Sequence, residues 1–386
     1  MFYTIILIDL NGYIQTYDTN DLKIISDTLL LNNDTYTVTY KKLEEPYMIV
    51  QKIVSNKTEK KISKLSNNYT VYNYAITNEN VHYRFIVYDK ELSKQSHEEH
   101  KYLDLMSNII YFGDYRKTRN GFTYSLFGKS LEFDISESFP LLTTKKVFFR
   151  GIVEELIFFL HGKTDSKILE EKGINIWKPN TTNEFIKSRN LNYREGDMGP
   201  MYGFNWLHFG AKYNGCDSDY TNQGFNQLEQ VIKLIKEDPM SRRIIMTTYN
   251  PEVAEEGVLY PCHGIVVQFY INKRENVNYL SCSMTQRSAD VACGIPFNIA
   301  SYATLVYILC KYLGDDYKPD KLIMNLGDAH LYEEHINEAL TQIKRTPMSF
   351  PNLVIKDFKD FSELTYDHFS LTNYTHHDPI KFVMKP

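Results

Sequence analysis

The chain has 386 residues, of which 43% are hydrophobic, and its formal net charge is −5 at pH 7. This length predicts two domains with a sizeable core, and the mild negative charge argues against a general nucleic-acid-binding protein. The five cysteines have neither metal-ligand spacing nor the even number of a disulfide framework. We therefore expect a reduced, cytoplasmic protein without a metal site.

Residues 1–95 are predicted to form a small α+β domain of unknown function. A helical pattern over Asp21–Leu30 lies among strand-like runs of β-branched and aromatic residues. The charged stretch Lys90–Lys101 is interpreted as the linker to a second domain, residues 96–386. The strand-like runs are Tyr3–Ile8, Thr35–Tyr40, Tyr47–Val54, Tyr69–Ile76 and Val81–Tyr88.

The second domain opens with a helical stripe of apolar residues over 102–110. The dipeptide Asn120–Gly121 then predicts a turn beside a strand-like run. Arg116 and Arg119 lie just before this turn.

An apolar helix that carries two acids is predicted over Gly151–Leu160. Glu155 shares one stripe with Ile152 and Phe159 at helical spacing. Burial penalises the charged form of a carboxylate and raises its pKa, which suits a group that handles protons. The pattern therefore predicts that one acid of the pair Glu154 and Glu155 is buried.

A candidate nucleophile, Cys262, lies at the head of a strand. The run Val266–Ile271 is typical of a buried strand, and a polar turn over Asn272–Asn278 leads to a second strand over Tyr279–Met284. Chemistry is usually placed at such loop ends on a rigid scaffold. A cysteine protease that uses Cys262 and His263 is a poor alternative, because adjacent residues on a strand point to opposite faces.

The segment Val291–Cys310 carries no charge and is long enough to span a bilayer. Gly294, Pro296 and Asn298 near its start favour instead a loop followed by a fully buried helix. We therefore expect no membrane span.

Four motifs stand in one order over the second domain: PCH around Cys262, QRSAD around Arg287, GIPFNIAS around Asn298, and GDAHLY over residues 327–332. In this order and spacing they resemble thymidylate synthase, from about Glu98 to the end of the chain. The resemblance implies an α+β protein whose catalytic α/β domain has a large mixed sheet packed in a homodimer. It also implies methylation of dUMP to dTMP by 5,10-methylenetetrahydrofolate, which supplies the carbon and the hydride without a metal or a nicotinamide.

The resemblance gives the chemistry to a small set of residues. Cys262 would attack C6 of the uracil as a thiolate, and it needs cationic neighbours because an unperturbed thiol has a pKa of about 8.5. Glu155 matches the catalytic glutamate of the family, so we expect Glu154 to face elsewhere. His263 is expected to be structural or part of a water network. The implied catalytic residues are Cys262, Glu155, Tyr202, Asn298, Arg287 and Asp290.

The resemblance also builds the dUMP site from both protomers of a dimer. Arg242 and Arg243 would reach the phosphate in the partner's site, and guanidinium groups bind phosphate oxygens in pairs. Arg119 matches a further phosphate ligand, with Arg116 as the alternative. The implied set is Arg119, Arg242, Arg243, Gln286, Arg287, Ser288, Asp290, Asn298, His330 and Tyr332.

The folate is implied to lie beside Trp177 under a closing carboxyl terminus. Three positions depart from the family pattern: Lys178 replaces an acid, Cys293 replaces a leucine, and Pro386 replaces a small aliphatic residue. The implied folate contacts are Phe148, Ile176, Trp177, Asn180, Asp290, Gly294, Phe297 and Met384.

Two other functions stay open. One is a bifunctional chain in which residues 1–95 retain dihydrofolate reductase activity, although they are short for a whole reductase. The other is a non-catalytic scaffold or RNA-binding module, which the shortened Arg119 loop and Pro386 would support. Oxidation of NADPH with dihydrofolate tests the first, and formation of dTMP by the purified protein tests the second.

Overall fold

The computed structural model describes residues 97–385, and before them the backbone of strand segments. The chain divides into two compact units, Met1–His100 with Ile343–Thr346, and Lys101–Gln342 with Pro347–Pro386. The predicted boundary at residues 95 and 96 stays a prediction, because residues 90–96 lie outside the described part of the chain.

In the amino-terminal unit, the described strands form antiparallel sheets in the orders β2-β1-β9-β8-β7 and β3-β4-β5-β6. All five predicted strand-like runs coincide with strands. The predicted helix Asp21–Leu30 is wrong at its end, because Thr28–Leu31 pairs in a sheet, and its other residues lie outside the described part. The strands are β1 (Tyr3–Ile8), β2 (Ile14–Thr19), β3 (Thr28–Leu31), β4 (Asp34–Lys42), β5 (Met48–Ser55), β6 (Thr58–Lys61), β7 (Ser63–Lys64), β8 (Tyr69–Ile76) and β9 (Val81–Asp89).

The second unit is a mixed α/β domain. Its helices form where apolar residues recur at helical spacing, as predicted for the first two. The helices are α1 (His100–Phe112), α2 (Phe149–Leu160), α3 (Lys167–Glu171), α4 (Asn183–Ser188), α5 (Gly203–Leu207), α6 (Gln227–Glu237), α7 (Gly294–Leu313) and α8 (Ile336–Gln342). The strands are β10 (Asp114–Thr118), β11 (Gly121–Asp134), β12 (Ile245–Met246), β13 (Val266–Arg274), β14 (Val277–Asp290), β15 (Tyr317–Tyr332), β16 (Asn352–Ile355) and β17 (Phe369–Thr372).

A six-stranded sheet in the order β10-β11-β15-β14-β13-β12 carries this unit. β14 and β15 are parallel, and the other neighbours are antiparallel, so the prediction of a mixed sheet is confirmed. Residues at the carboxyl ends of parallel strands meet at the same edge of a sheet. That edge positions the site described below.

The polar turn between β13 and β14 is shorter than the predicted Asn272–Asn278. Lys273 pairs with Asn278 and Arg274 pairs with Val277, so the ladder extends past the apolar residues that signalled the strands. Glu275 turns the chain with a φ of 54°. Backbone hydrogen bonds, which carry no hydrophobic signal, decide where these strands end.

The uncharged segment after β14 is confirmed as a loop followed by a buried helix. Most of α7 is buried, and it packs against α2, β14 and β15. Burial on several faces explains why it lacks an amphipathic stripe. In residues 97–385, no helix is both long and apolar enough to cross a bilayer.

Candidate active site

A cavity of about 720 Å³ opens at one edge of the six-stranded sheet. Asp290 pairs with His330 at the ends of the parallel strands β14 and β15, which brings both residues to this edge. β11 runs antiparallel to β15 with Thr123 opposite Tyr332, and the preceding Arg119–Asn120 turn reaches the cavity too. A cavity of this size suits a small-molecule ligand.

Cys262 faces the cavity from the segment before β13. Its sulfur lies 3.4 Å from the Tyr202 hydroxyl, and its carbonyl oxygen accepts from the Arg287 backbone N–H at 2.9 Å. The Arg287 side chain donates through Nε to the Pro261 carbonyl at 2.9 Å and through Nη2 to the Tyr260 carbonyl at 3.1 Å. These bonds hold a guanidinium group within electrostatic reach of the thiol.

Burial raises the pKa of the Cys262 thiol, and the Tyr202 hydrogen bond and the Arg287 charge lower that pKa only in part. The expected cationic environment is therefore incomplete in the chain by itself. Arg242 and Arg243, the other two expected cations, are exposed and do not line the cavity.

A strained backbone places Tyr202 beside the thiol. Its φ is 42°, in a region that residues with a side chain rarely adopt. The next residue, Gly203, brings α5 against α2, and a Cβ there would lie 2.3 Å from the Phe159 carbonyl oxygen. The Tyr202 ring stacks on Phe159 at 4.9 Å and on the His263 ring at 4.5 Å. Packing on both faces thus maintains the strained conformation.

His263 supports Tyr202 and does not act as a base. Its Nδ1 is 2.9 Å from the Tyr302 hydroxyl. Burial lowers the pKa of His263 to about 3, so the ring is neutral near pH 7. This geometry agrees with a structural role for His263 and leaves Cys262 without an imidazole base.

The two acids of α2 have different surroundings. The Trp177 Nε1 donates to Glu155 Oε1 at 2.8 Å, and Glu155 lines the cavity. Burial raises the pKa of Glu155 to about 7, against the opposing effect of the Trp177 hydrogen bond. Glu154 is 5% exposed, whereas Glu155 is half-buried, and Glu154 forms an ion pair with Lys172 at 2.7 Å outside the cavity lining. Glu155 is therefore the acid able to exchange a proton with a ligand near pH 7.

Asp290 and Asn298 flank the first turn of α7. Asp290 Oδ1 accepts from the Ala292 N–H at 2.9 Å and from the Cys293 N–H at 3.0 Å, which turns the chain from β14 into the helix. Asn298 lies one turn inside the helix and is 7% exposed. Both polar groups reach the cavity from positions that the backbone holds rigidly.

Gln286 offers the cavity an unsatisfied acceptor. Its Nε2 donates to the Ser288 carbonyl at 3.0 Å. Its Oε1 is buried and has no hydrogen-bond partner among the described residues. An unpaired buried acceptor destabilises the fold, so a donor from a ligand is expected there.

The two arginines that flank the Asn120–Gly121 turn on its amino-terminal side, Arg116 and Arg119, have different surroundings. Arg116 Nη1 is engaged with Asp328 Oδ2 at 2.8 Å and does not line the cavity, whereas Arg119 does. These positions favour Arg119 over the alternative Arg116.

Burial opposes the charged form of His330, but its hydrogen bond with Asp328 and the charges of Asp290 and Asp328 raise its pKa overall.

The carboxyl-terminal tail lies along the cavity. Phe382 and Met384 line it. His335 Nε2 donates to the Val383 carbonyl oxygen at 2.8 Å and fixes the tail between them. Pro386 lies outside the described residues.

All the site residues proposed from sequence line this cavity except Arg242 and Arg243. Sequence reasoning missed Lys145, which is 7% exposed and also lines it. The Lys145 Nζ donates to the Ala292 carbonyl at 2.6 Å and lies 4.4 Å from the centroid of the Phe382 ring. The signal in the sequence was a lysine pair after an apolar stretch, which is equally typical of a solvated turn.

The thymidylate synthase family model matches residues 100–385. A thymidylate synthase of Saccharomyces cerevisiae is 46% identical over 297 residues, which cover 74% of this chain and 97% of that protein. A thymidylate synthase of Candida albicans is 45% identical over 308 residues, which cover 74% of this chain and 97% of that protein.

A bifunctional dihydrofolate reductase-thymidylate synthase of Paramecium tetraurelia is also similar. It is 45% identical over 292 residues, which cover 75% of this chain and 62% of that protein. The chain therefore spans less than two thirds of the length of this relative.

Proposed function

We propose, because this chain belongs to the thymidylate synthase family, that it catalyses the reductive methylation of dUMP to dTMP. The family uses 5,10-methylenetetrahydrofolate as co-substrate, which supplies the one-carbon group and the hydride and is released as dihydrofolate. The observation that carries the proposal is the Cys262 sulfur in a cavity of about 720 Å³ together with Tyr202, Arg287 and Asn298. Five free cysteines are consistent with a reducing compartment such as the cytoplasm.

Cys262 is the proposed nucleophile. Its sulfur would donate an electron pair to C6 of the uracil, and the C5–C6 π electrons would move toward C5 and O4 as an enolate. The Asn298 amide, which both donates and accepts, would hold the edge of the ring. Carbon 5, now nucleophilic, would bond to the methylene carbon of the folate and lose its own proton to solvent as the bond from that carbon to the folate nitrogen breaks. A hydride from the resulting tetrahydrofolate would then complete the methyl group as the sulfur leaves, which gives dihydrofolate.

Other residues that line the cavity fit the co-substrate. Trp177, Phe297 and Met384 offer apolar surface to a fused ring. The Asn180 Nδ2 is buried and has no partner in residues 97–385, so it can donate to an oxygen of the ligand. Asp290 would accept from the ring N–H groups.

Glu155 is the proposed proton-handling group. A carboxyl whose pKa lies near 7 can both give and take a proton at physiological pH. Its hydrogen bond from Trp177 fixes the carboxyl over the cavity and couples it to the proposed folate contact.

A second copy of the chain would complete the phosphate site. Arg242 and Arg243 are exposed, and Ile245 and Tyr270 nearby on β12 and β13 are 47% and 65% exposed. Exposed apolar side chains on a sheet support burial against a partner. In such a homodimer each copy would lend two guanidinium groups to the other and add the cations that Cys262 lacks.

The direct test is production of dTMP and dihydrofolate by the purified full chain with dUMP and 5,10-methylenetetrahydrofolate. The variant Cys262→Ser should be inactive in this assay. Cys216→Ser is its matched control, because Cys216 is a half-buried thiol outside the cavity. Nucleotide binding without turnover in the parent protein would point to the non-catalytic alternative.

Subunit complementation tests the crossed arginines. The variants Cys262→Ser and Arg242→Ala/Arg243→Ala should each be inactive, whereas a refolded equal mixture should regain about a quarter of the parent activity, because random dimers place both defects in one site of each heterodimer. A mixture as inactive as its components would rule out the lending of arginines.

A further inference from the structure

A cysteine, a histidine and an aspartate converge at the tail end of the cavity. Asp290, Cys293 and His335 each place one metal-ligating atom within 4.8 Å of the other two. Cys293 precedes α7 and His335 follows β15, so the fold assembles a set that the spacing of the cysteines did not reveal. Asp290 and Cys293 line the cavity, and His335 is 1% exposed.

The protonation of His335 leaves a ligand atom available. Its Nε2 is hydrogen-bonded to the Val383 carbonyl, which only accepts, so Nε2 carries the proton of the neutral ring. The lone pair is then on Nδ1, which is buried and has no hydrogen-bond partner in the described part of the chain. Metal-binding histidines usually donate their other ring N–H to a carbonyl or carboxylate in this way.

The other two ligands are also held in place. Asp290 Oδ1 accepts from the Ala292 and Cys293 N–H groups, which fixes the carboxylate beside the thiol. Lys145 opposes a cation here, but its ammonium group donates to the Ala292 carbonyl and lies over the Phe382 ring. A carboxylate and a thiolate together outweigh this single positive charge.

We infer that Asp290, Cys293 and His335 bind a divalent cation of the zinc type. A sulfur, nitrogen and oxygen donor set suits Zn²⁺ or Co²⁺, whereas Mg²⁺ and Ca²⁺ prefer oxygen alone. Ligand atoms around Zn²⁺ lie roughly 3.3–3.8 Å apart at bond lengths of about 2.0–2.3 Å, so movements of about 1 Å close the set. On binding, the Cys293 thiol releases its proton to solvent and the sulfur forms a bond to the metal.

The site places a fourth ligand position toward the cavity, because two of its three residues line the cavity. A bound cation would occupy Asp290 and compete with the folate ring. This consequence rests on the proposed function, and it makes the ion an inhibitor of co-substrate binding rather than a participant in the reaction.

The test is a Co²⁺ titration of the full chain without dUMP or folate, followed by thiolate-to-metal charge-transfer absorption. We expect one Co²⁺ per chain, displacement by Zn²⁺, loss of the band in Cys293→Ser, and affinity reduced at least tenfold in His335→Gln. Circular dichroism and thermal unfolding test whether each variant folds. Asp290→Asn is used in place of a variant that does not fold.

Two control variants exclude the other thiols. Asp165, Cys216 and Asp217 form a second grouping of the same span, but Arg194 binds both carboxylates at 2.8 Å and 2.7 Å. Cys216→Ser and Cys262→Ser should therefore retain the band. Absence of the band, its persistence in Cys293→Ser, or its loss in either control would overturn the inference, whatever the outcome of the dTMP assay.

Discussion

The two thiols that line the cavity have different charged neighbours. At Cys262, burial raises the pKa while the Tyr202 hydroxyl and the Arg287 charge lower it. At Cys293, burial and the Asp290 carboxylate together raise the pKa to about 12, although Lys145 lowers it. Access to the same cavity is therefore not enough to define a nucleophile. The neighbouring charges favour Cys262 over Cys293 as the nucleophile.

Replacement of each thiol by serine should separate the two roles most strongly. Cys262→Ser is expected to lower kcat/KM for dUMP at least about 10³-fold, since a serine hydroxyl is a far weaker nucleophile. Cys293→Ser should stay within about tenfold of the parent, because its sulfur makes no bond in the reaction. Steady-state dTMP formation measures kcat/KM in both variants. Comparable losses of activity in the two would contradict the assignment of Cys262 as the nucleophile.

Glu155→Gln should give the next largest loss of activity. An amide cannot exchange the proton, so kcat is expected to fall about 10²–10⁴-fold, and the limb of the pH profile near pH 7 should disappear. Glu154→Gln is the matched control, because Glu154 faces Lys172 and not the cavity. A pH limb retained in Glu155→Gln would assign it to another group.

The same substitution should increase stability at high pH. The pKa of Glu155 is raised from 4.5 to about 7 in the folded protein, so the folded state holds a proton that the unfolded state releases between these values. Stability therefore falls as the pH rises from about 4.5 to 7, by about 1–3 kcal/mol, and Glu155→Gln should recover it at pH 8. Urea unfolding at pH 4 and pH 8 measures the difference, and a variant less stable than the parent at pH 8 would refute this sign.

Tyr202→Phe should raise the pKa of the Cys262 thiol and so make it less reactive. Loss of the hydroxyl that lies 3.4 Å from the sulfur removes one group that lowers the thiol pKa. We expect slower alkylation of Cys262 at pH 8 and a decrease in kcat of about 10–100-fold, as for loss of one positioned hydrogen bond. Tyr307→Phe is the control, because its hydroxyl bonds Ile135 outside the cavity lining. Equal alkylation rates in parent and Tyr202→Phe would count against this role.

The smallest effect on activity is expected from substitution of the arginines before the Asn120–Gly121 turn. Arg119→Ala should raise KM for dUMP about tenfold, which corresponds to loss of one charge-assisted phosphate contact. Arg116→Ala should change KM less than about twofold, because Arg116 is exposed and paired with Asp328. The reverse order of effects would exchange the two assignments.

The strand ends that carry the chemistry were predictable from sequence. PCH precedes one run of β-branched and aromatic residues and QRSAD follows another, and these two runs pair in one sheet. The amphipathic pattern of α2 likewise predicted that an acid would be buried. Periodicity records which side chains leave water, so it locates elements and their buried faces.

Contacts between distant elements were not predictable in the same way. The strain at Tyr202 arises from the approach of Gly203 to Phe159, which no local pattern encodes. The bond from His335 to Val383 depends on where the tail lies. The raised pKa of the Cys262 thiol follows from burial, which a list of nearby arginines does not include.

The most direct test of the central claim is the alkylation rate of each cysteine by iodoacetamide, read by peptide mass spectrometry with and without dUMP. We expect Cys262 to react first, dUMP to protect it, and the buried Cys282 and Cys310 to react only on unfolding. Labelling of Cys262 no faster than that of Cys216, or at a rate that dUMP does not change, would contradict it.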